Sequence, residues 1–322
     1  MSETARTSVV EIRDPESGSN ASIAPSLGFN CFRFESHTAG GAVVDVIDSL
    51  PDFLSGTSRP SGSGIPILFP FPNRIAAGQY RWEGREYQLP LPPGRPDAIH
   101  GFCYDHPWRV TARDEGAVTG TFQLSIDAPD RRPLWPADFL IEVRYEVRGA
   151  ALRSSIRVTN PDSRPLPWGF GTHPYFKLPL GPTGDADKCL YRAPAHLRWP
   201  LKDSLPWGQP AHPPAEADLV RGIRHRSVPL DHVYTRLVPE RNQHECIIID
   251  EQSGLQVVQS FGIEFRELVV FTPPPRPNVV CLEPYTCTTN AINLESMGID
   301  AGWDVLDPGA AFETWIDIEV RS

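Results

Sequence analysis

Proline recurs along the whole of this chain, at 35 of its 322 positions. Each proline removes a backbone donor and clashes with the preceding helical turn, so no long helix survives such spacing. Glycine supplies 25 further turn formers. The pattern predicts many short strands joined by turns and argues against a helical bundle. A composition 40% hydrophobic and 22% charged still allows a sizeable core and excludes bulk disorder.

The clearest strands are read from alternation. Phe139, Ile141, Val143, Tyr145 and Val147 share one face, and Glu142, Arg144, Glu146 and Arg148 the other. Period two is the signature of a half-buried antiparallel strand. Leu152, Ile156 and Val158 continue it, with Gly149-Ala150 as the hairpin turn between. Ile316, Ile318 and Val320 repeat the pattern near the C-terminus. The runs Ile247–Ile249 and Leu268–Phe271 read as strands buried on both faces. Proline-rich segments at 51–72, 89–96, 129–136 and 178–214 read as long loops, and loops of that length are usually functional. No interdomain linker or internal repeat interrupts the chain, so residues 1–322 are expected to form one all-β domain, a large antiparallel β-sandwich, with 1–20 partly disordered.

A net charge of −10 offers no basic footprint for nucleic acid. No apolar run approaches the roughly 18–20 residues that span a bilayer, and the first twenty residues lack an apolar signal core. The expectation is a cytoplasmic protein, acting as monomer or homodimer, with no membrane or nucleic-acid partner. The six cysteines, at 31, 103, 189, 246, 281 and 287, include no C-x-x-C pair and read as free thiols.

Nine histidines must be sorted. His37, His196, His212, His225 and His244 lie in polar or proline-rich stretches and read as surface or loop residues. His100, in Ile99-His100-Gly101-Phe102, and His173, in Gly171-Thr172-His173-Pro174-Tyr175-Phe176, sit among glycines and aromatics. Such surroundings suit either a ligand-facing imidazole or a packed core histidine. Glu283 follows the apolar run Val279–Leu282 and precedes Pro284, which places it at a strand end. Buried there it would suit general-base work; solvated, it would be ordinary. Asp231, in Leu230-Asp231-His232, is similar. Asn73-Arg74 follows the stiff segment Phe69-Pro70-Phe71-Pro72, so Arg74 is delivered either to a ligand's oxygens or to a structural ion pair. Nucleotide-binding glycine loops, H-E-x-x-H, paired C-x-x-C and G-x-S-x-G are all absent.

Asn73-Arg74-Ile75-Ala76-Ala77-Gly78, His100-Gly101, Thr172-His173-Pro174-Tyr175-Phe176 and Leu282-Glu283-Pro284-Tyr285-Thr286, in this order, resemble the aldose 1-epimerase (galactose mutarotase) family. The blocks run from about Ala21 to the C-terminus. The resemblance implies a galactose mutarotase-like supersandwich with an open cleft, a sugar substrate, and neither metal nor organic cofactor. It implies Glu283 as general base, His173 as general acid, His100 assisting at the ring oxygen, and Asn73, Arg74 and Asp231 as sugar-binding residues. The family often shows His-His-Gly-Gly where this chain has Ile99-His100-Gly101-Phe102, and Asn where Lys177 stands. An extra cation at Lys177 fits a hexose 6-phosphate 1-epimerase as an alternative. Anomer interconversion calls for one carboxylate and one imidazolium.

Two other classes were weighed. A non-catalytic carbohydrate-binding protein on the same fold would not need both His173 and Glu283. A lyase or glycosidase could use Asp231 and Glu283 as its two carboxylates.

Overall fold

The computed structural model describes residues 8–322. Of the N-terminal stretch expected to be partly disordered, residues 1–7 lie outside the described residues; beyond them, Val10–Arg13 and Asn20–Ala24 pair as antiparallel strands.

Among the described residues, two sheets hold most of the strand residues. The larger is nine-stranded. Its third and fourth strands are the hairpin foreseen from alternation: Leu140–Arg148 pairs with Ala151–Thr159, and Arg148 lies opposite Ala151, so Gly149 and Ala150 form the turn. Gly149 takes φ 57°, a conformation that glycine adopts without steric cost. The last strand, Ala311–Arg321, lies against Ala151–Thr159 and brings Gln256–Phe261 in behind it. The second sheet has seven strands and contains Asp231–Leu237, Glu267–Phe271, Val279–Tyr285 and Gly171–Thr172 in that spatial order.

The sheets face one another through aromatic side chains. Phe69, just past the short strand Ile67–Leu68 of the second sheet, meets Phe139 of the first edge-on at 4.7 Å. Trp168 packs on Phe312 at 4.5 Å. Edge-to-face geometry of this kind adds attraction to the burial of large apolar surfaces. The architecture is the antiparallel β-sandwich expected from the sequence, and all six cysteines lie in its interior as free thiols. No helix among the described residues is long and apolar enough to cross a membrane.

Several local expectations are corrected. In His244–Asp250 the burial alternates, so Ile247 and Ile249 are only half-buried and that strand is not covered on both faces. Leu268–Val270, by contrast, are buried on successive residues, as a strand with two covered faces requires. The segment 178–214 is not one long loop, for it contributes Cys189–Arg192 and Ala195–Arg198 to the two sheets. His225 and His244 are buried rather than superficial: the ring of His225 is bonded to the Tyr191 hydroxyl and that of His244 packs on Phe261. The polar neighbours that suggested exposure are the outward residues of alternating strands. One carboxyl deep in the second sheet, Glu267, is 2% exposed and accepts a hydrogen bond from Thr235 Oγ1 at 3.0 Å.

Candidate active site

Glu283 does not stand at a strand end. It lies within Val279–Tyr285, opposite Val269, with Glu267–Phe271 on one flank and the short strands Gly171–Thr172 and Tyr175–Lys177 on the other. Residues two apart on a strand share a face, so Cys281, Glu283 and Tyr285 point the same way. The apolar run that suggested a strand end continues through Glu283, which is 1% exposed. His173 falls between the two short flanking strands, and its Nε2 comes within 3.2 Å of Glu283 Oε1. The Tyr285 hydroxyl donates to Glu283 Oε2. Both carboxyl oxygens are therefore engaged. Tyr175 stacks on the His173 ring at 4.6 Å and is anchored by its hydroxyl to Ser61 O at 2.9 Å. Arg276, ion-paired with Asp48 at 2.9 Å, lies over Tyr175 at 4.2 Å.

His100 and Arg74 arrive together. Arg74–Ile75 pairs with Ala98–Ile99, and the His100 N–H donates to Asn73 O at 2.8 Å. Asn73 and His100 both take left-handed backbone, φ 54° and 69°, an uncommon conformation for non-glycine residues that here turns both side chains toward the cleft. A second tie comes from far along the chain: Asn290 N–H donates to Arg74 O at 2.8 Å, and Asn290 Oδ1 accepts from Ala76 N–H at 3.1 Å. Arg74 itself donates to Asn73 Oδ1 at 2.9 Å. His100 meets the His173 ring edge-on at 5.7 Å.

Gly101 makes this turn sterically feasible. Its φ is 72°, and a Cβ there would lie 2.1 Å from Phe69 O. We expect Gly101→Ala to destabilise the fold by about 1–3 kcal/mol from backbone strain alone, with the overlap adding to it and His100 displaced. A chemical-denaturation midpoint equal to that of the wild type would refute this.

Asp231 opens its strand at the exposed mouth, opposite Phe271. The cavity so formed, about 160 Å³, is lined by Asn73, Arg74, His100, His173, Asp231 and Glu283, so the six residues singled out in the sequence converge. Lys177 does not join them. Two residues past Tyr175, it shares that residue's face but lies beyond the cleft, opposite Val279, where it is ion-paired with Asp45. The lining also includes Tyr175, Tyr285, Arg59 and Arg95, none of which was assigned a role from the sequence. The tyrosines stand two residues beyond His173 and Glu283, where strand periodicity could have found them. The arginines lie in loops, and their one local signal is a shared proline at the next position, Arg59-Pro60 and Arg95-Pro96.

Burial governs the electrostatics. It pushes the Glu283 carboxyl well above the usual carboxylate range, with Asp231 in the same direction and the Tyr285 hydroxyl and Arg74 opposing. Burial likewise lowers His173, to about 3, helped by Arg59 and Arg276. His100 is driven well down by burial and then by His173, Arg59, Arg74 and Arg95. Burial thus works against both charged forms on which the expected chemistry draws, the Glu283 carboxylate and the His173 imidazolium. Ligand atoms of His173, Cys281 and Glu283 lie within 4.8 Å of one another. Burial holds the Cys281 thiol well up, so both it and Glu283 favour their non-ligating, protonated forms.

The sequence profile of the aldose 1-epimerase family matches residues 30–319. A galactose mutarotase-like protein from Clostridium acetobutylicum superposes with a TM-score of 0.84 at 20% identity, over 98% of this chain and 99% of that one. An aldose epimerase homologue from C. elegans superposes with a TM-score of 0.79 at 16% identity, over 98% of each. Among curated proteins, the uncharacterised Escherichia coli (strain K12) protein YihR is 32% identical over 134 residues, 40% of this chain and 40% of its own length. The uncharacterised YphB of the same strain is 29% identical over 113 residues, 34% of this chain and 36% of its own length. These matches span about two fifths of the curated relatives. The antiparallel sandwich with its buried cleft is a galactose mutarotase-like fold. The chain belongs to the aldose 1-epimerase family.

Proposed function

We propose that the protein is an aldose 1-epimerase that interconverts α and β anomers by acid–base ring opening and closure. The observation that carries this reading is the 3.2 Å contact between His173 Nε2 and Glu283 Oε1 on the wall of a cavity that also holds His100. Together the two groups hold one proton, which is what the reaction needs. One partner removes the proton of the anomeric hydroxyl while the other protonates the ring oxygen. The ring opens to an aldehyde, rotation about C1–C2 presents the other carbonyl face, and closure reverses the two transfers. Glu283 is assigned to the anomeric hydroxyl and His173 to the ring oxygen, with His100 beside it. Burial places the resting proton on Glu283. A sugar hydroxyl donating to the carboxylate favours moving that proton across to His173, which arms the pair as base and acid. Arg74, Asn73 and Asp231 hold ring hydroxyls.

The geometry favours this over glycoside hydrolysis. Glycoside hydrolysis works with two carboxylates set apart across the bond and makes no use of an imidazole 3.2 Å from one of them. A binding protein without catalysis would gain nothing from holding a buried carboxyl against a buried imidazole, a costly arrangement without compensating partners. We read the chain as one folded unit acting in the cytoplasm.

The test is polarimetry or NMR magnetisation transfer between anomers of freshly dissolved glucose, galactose and glucose 6-phosphate. Acceleration is expected for at least one of them and should survive dialysis against EDTA. No acceleration on any sugar refutes the reading, and chelator loss restored by zinc refutes its metal-free mechanism.

A further inference from the structure

Arg59, Arg74 and Arg95 all line the cavity that holds Glu283 and His173. The chain carries 40 acidic residues against 30 basic ones, so a shortage of carboxylates does not explain arginines without ion pairs. Elsewhere in the same wall Arg276 has Asp48 at 2.9 Å. Yet among the described residues no carboxylate lies within 4.0 Å of Arg59, Arg74 or Arg95. Arg74 turns to Asn73, and Arg59 reaches the Tyr104 hydroxyl, while Arg59 Nη2 is buried without a hydrogen-bond partner. Guanidinium groups gathered this way repel one another, and a buried N–H left unpaired costs free energy. Such an arrangement persists when a ligand supplies the missing charge.

The two outer arginines sit at one end of the cleft. All three arginines act on His100, but only Arg74 also acts on Glu283, and only Arg59 and Arg95 extend into the neighbouring cavity. In a pyranose the ring oxygen is bonded to C1 and to C5, and C5 carries C6. With Glu283 at the anomeric hydroxyl and the imidazoles at the ring oxygen, a substituent on C6 runs past His100 toward Arg59 and Arg95. Beyond them a second cavity, about 620 Å³, shares Arg59, Arg95 and Ile99 with the first and is lined further by Arg131 and Tyr104. Its one carboxylate, Asp105, is 2.7 Å from His106 Nδ1 and so is already engaged.

From this arrangement, and resting on the epimerase reading above, we propose that the substrate is an anionic sugar whose charged group, a phosphate ester or a carboxylate at C6, is held by Arg59 and Arg95. Guanidinium suits either, since its planar fork matches both in bidentate fashion.

The experiment measures anomer exchange by NMR for glucose, glucose 6-phosphate and glucuronate. One anionic sugar should exceed glucose in kcat/KM by roughly ten- to a hundredfold, the usual value of charged hydrogen bonds, and which of the two it is separates phosphate from carboxylate. Arg95→Gln should raise KM for that sugar by about tenfold or more with little change in kcat, while Arg95→Lys recovers part of the loss and shows that the loop is intact. KM for the anionic sugar should also rise with salt. Equal or better turnover of glucose overturns the proposal and leaves the epimerase reading standing. If no sugar is turned over, that reading fails, and calorimetric titration with glucose 6-phosphate and with glucuronate decides this one: salt-sensitive binding of either that is lost in Arg59→Gln and Arg95→Gln supports it, and absence of binding of both overturns it.

Discussion

Glu283→Gln should lower turnover by about 10²-fold or more, the usual contribution of a positioned base, while sugar binding changes little. Glutamine keeps the shape and can still accept from Tyr285, but it cannot exchange a proton with His173. The wild-type pH profile should be bell-shaped, and the perturbations invert the customary assignment of its limbs. Burial raises Glu283 and lowers His173, so activity is lost at high pH as the carboxyl proton leaves and at low pH as the imidazole gains a second proton. Both limbs are macroscopic properties of the pair. The Gln variant's residual activity should lack the alkaline limb. A variant as fast as wild type on every sugar accepted would show that Glu283 is not the proton carrier.

Glu267→Gln should flatten the pH dependence of stability. Burial pushes this carboxyl up from an ordinary value of 4.5 to about 8. A raised folded-state value means that the group's stabilising contribution is complete below the unfolded value and disappears as pH rises through the folded one. At about 1.4 kcal/mol per unit, wild type should lose on the order of 3 kcal/mol between pH 4.5 and pH 7 through this group, and more by pH 9. Glutamine has no proton to lose. Denaturant unfolding of both proteins across pH 5–9 isolates Glu267, because Glu283 contributes equally to each. Parallel stability curves would remove the buried carboxyl from the account.

The strands were legible where one face is wet. Ile141, Val143 and Tyr145 alternate with charged residues because water and core lie on opposite sides of their strand, and the hairpin at Gly149 followed from it. Legibility failed where both sides are covered or the chain is irregular. Glu283 looked terminal because a carboxyl after four apolar residues suggests solvent, yet a partner imidazole lets the strand continue inward past it. His173 and His100 stood out through their glycine and aromatic neighbours. Arg59 and Arg95 did not, since nothing periodic marks a loop residue whose role is set by what the loop faces. Lys177 misled for the complementary reason: its charge was visible, but its distance from the cleft was not, and its strand carries it on to Asp45.

The tie between Asn290 and the segment carrying Arg74 joins residues 214 positions apart at Ala76. Its consequence is one of timing. During synthesis, the arm that presents Arg74 is made early and must wait until the strand of Glu283 and then Asn290 have been made before it can be fastened. A ribosome-bound chain halted short of that point has a partly built sandwich and no finished cleft. The cleft is therefore among the last parts of the molecule to be completed, although the arm that presents Arg74 is among the first to be made.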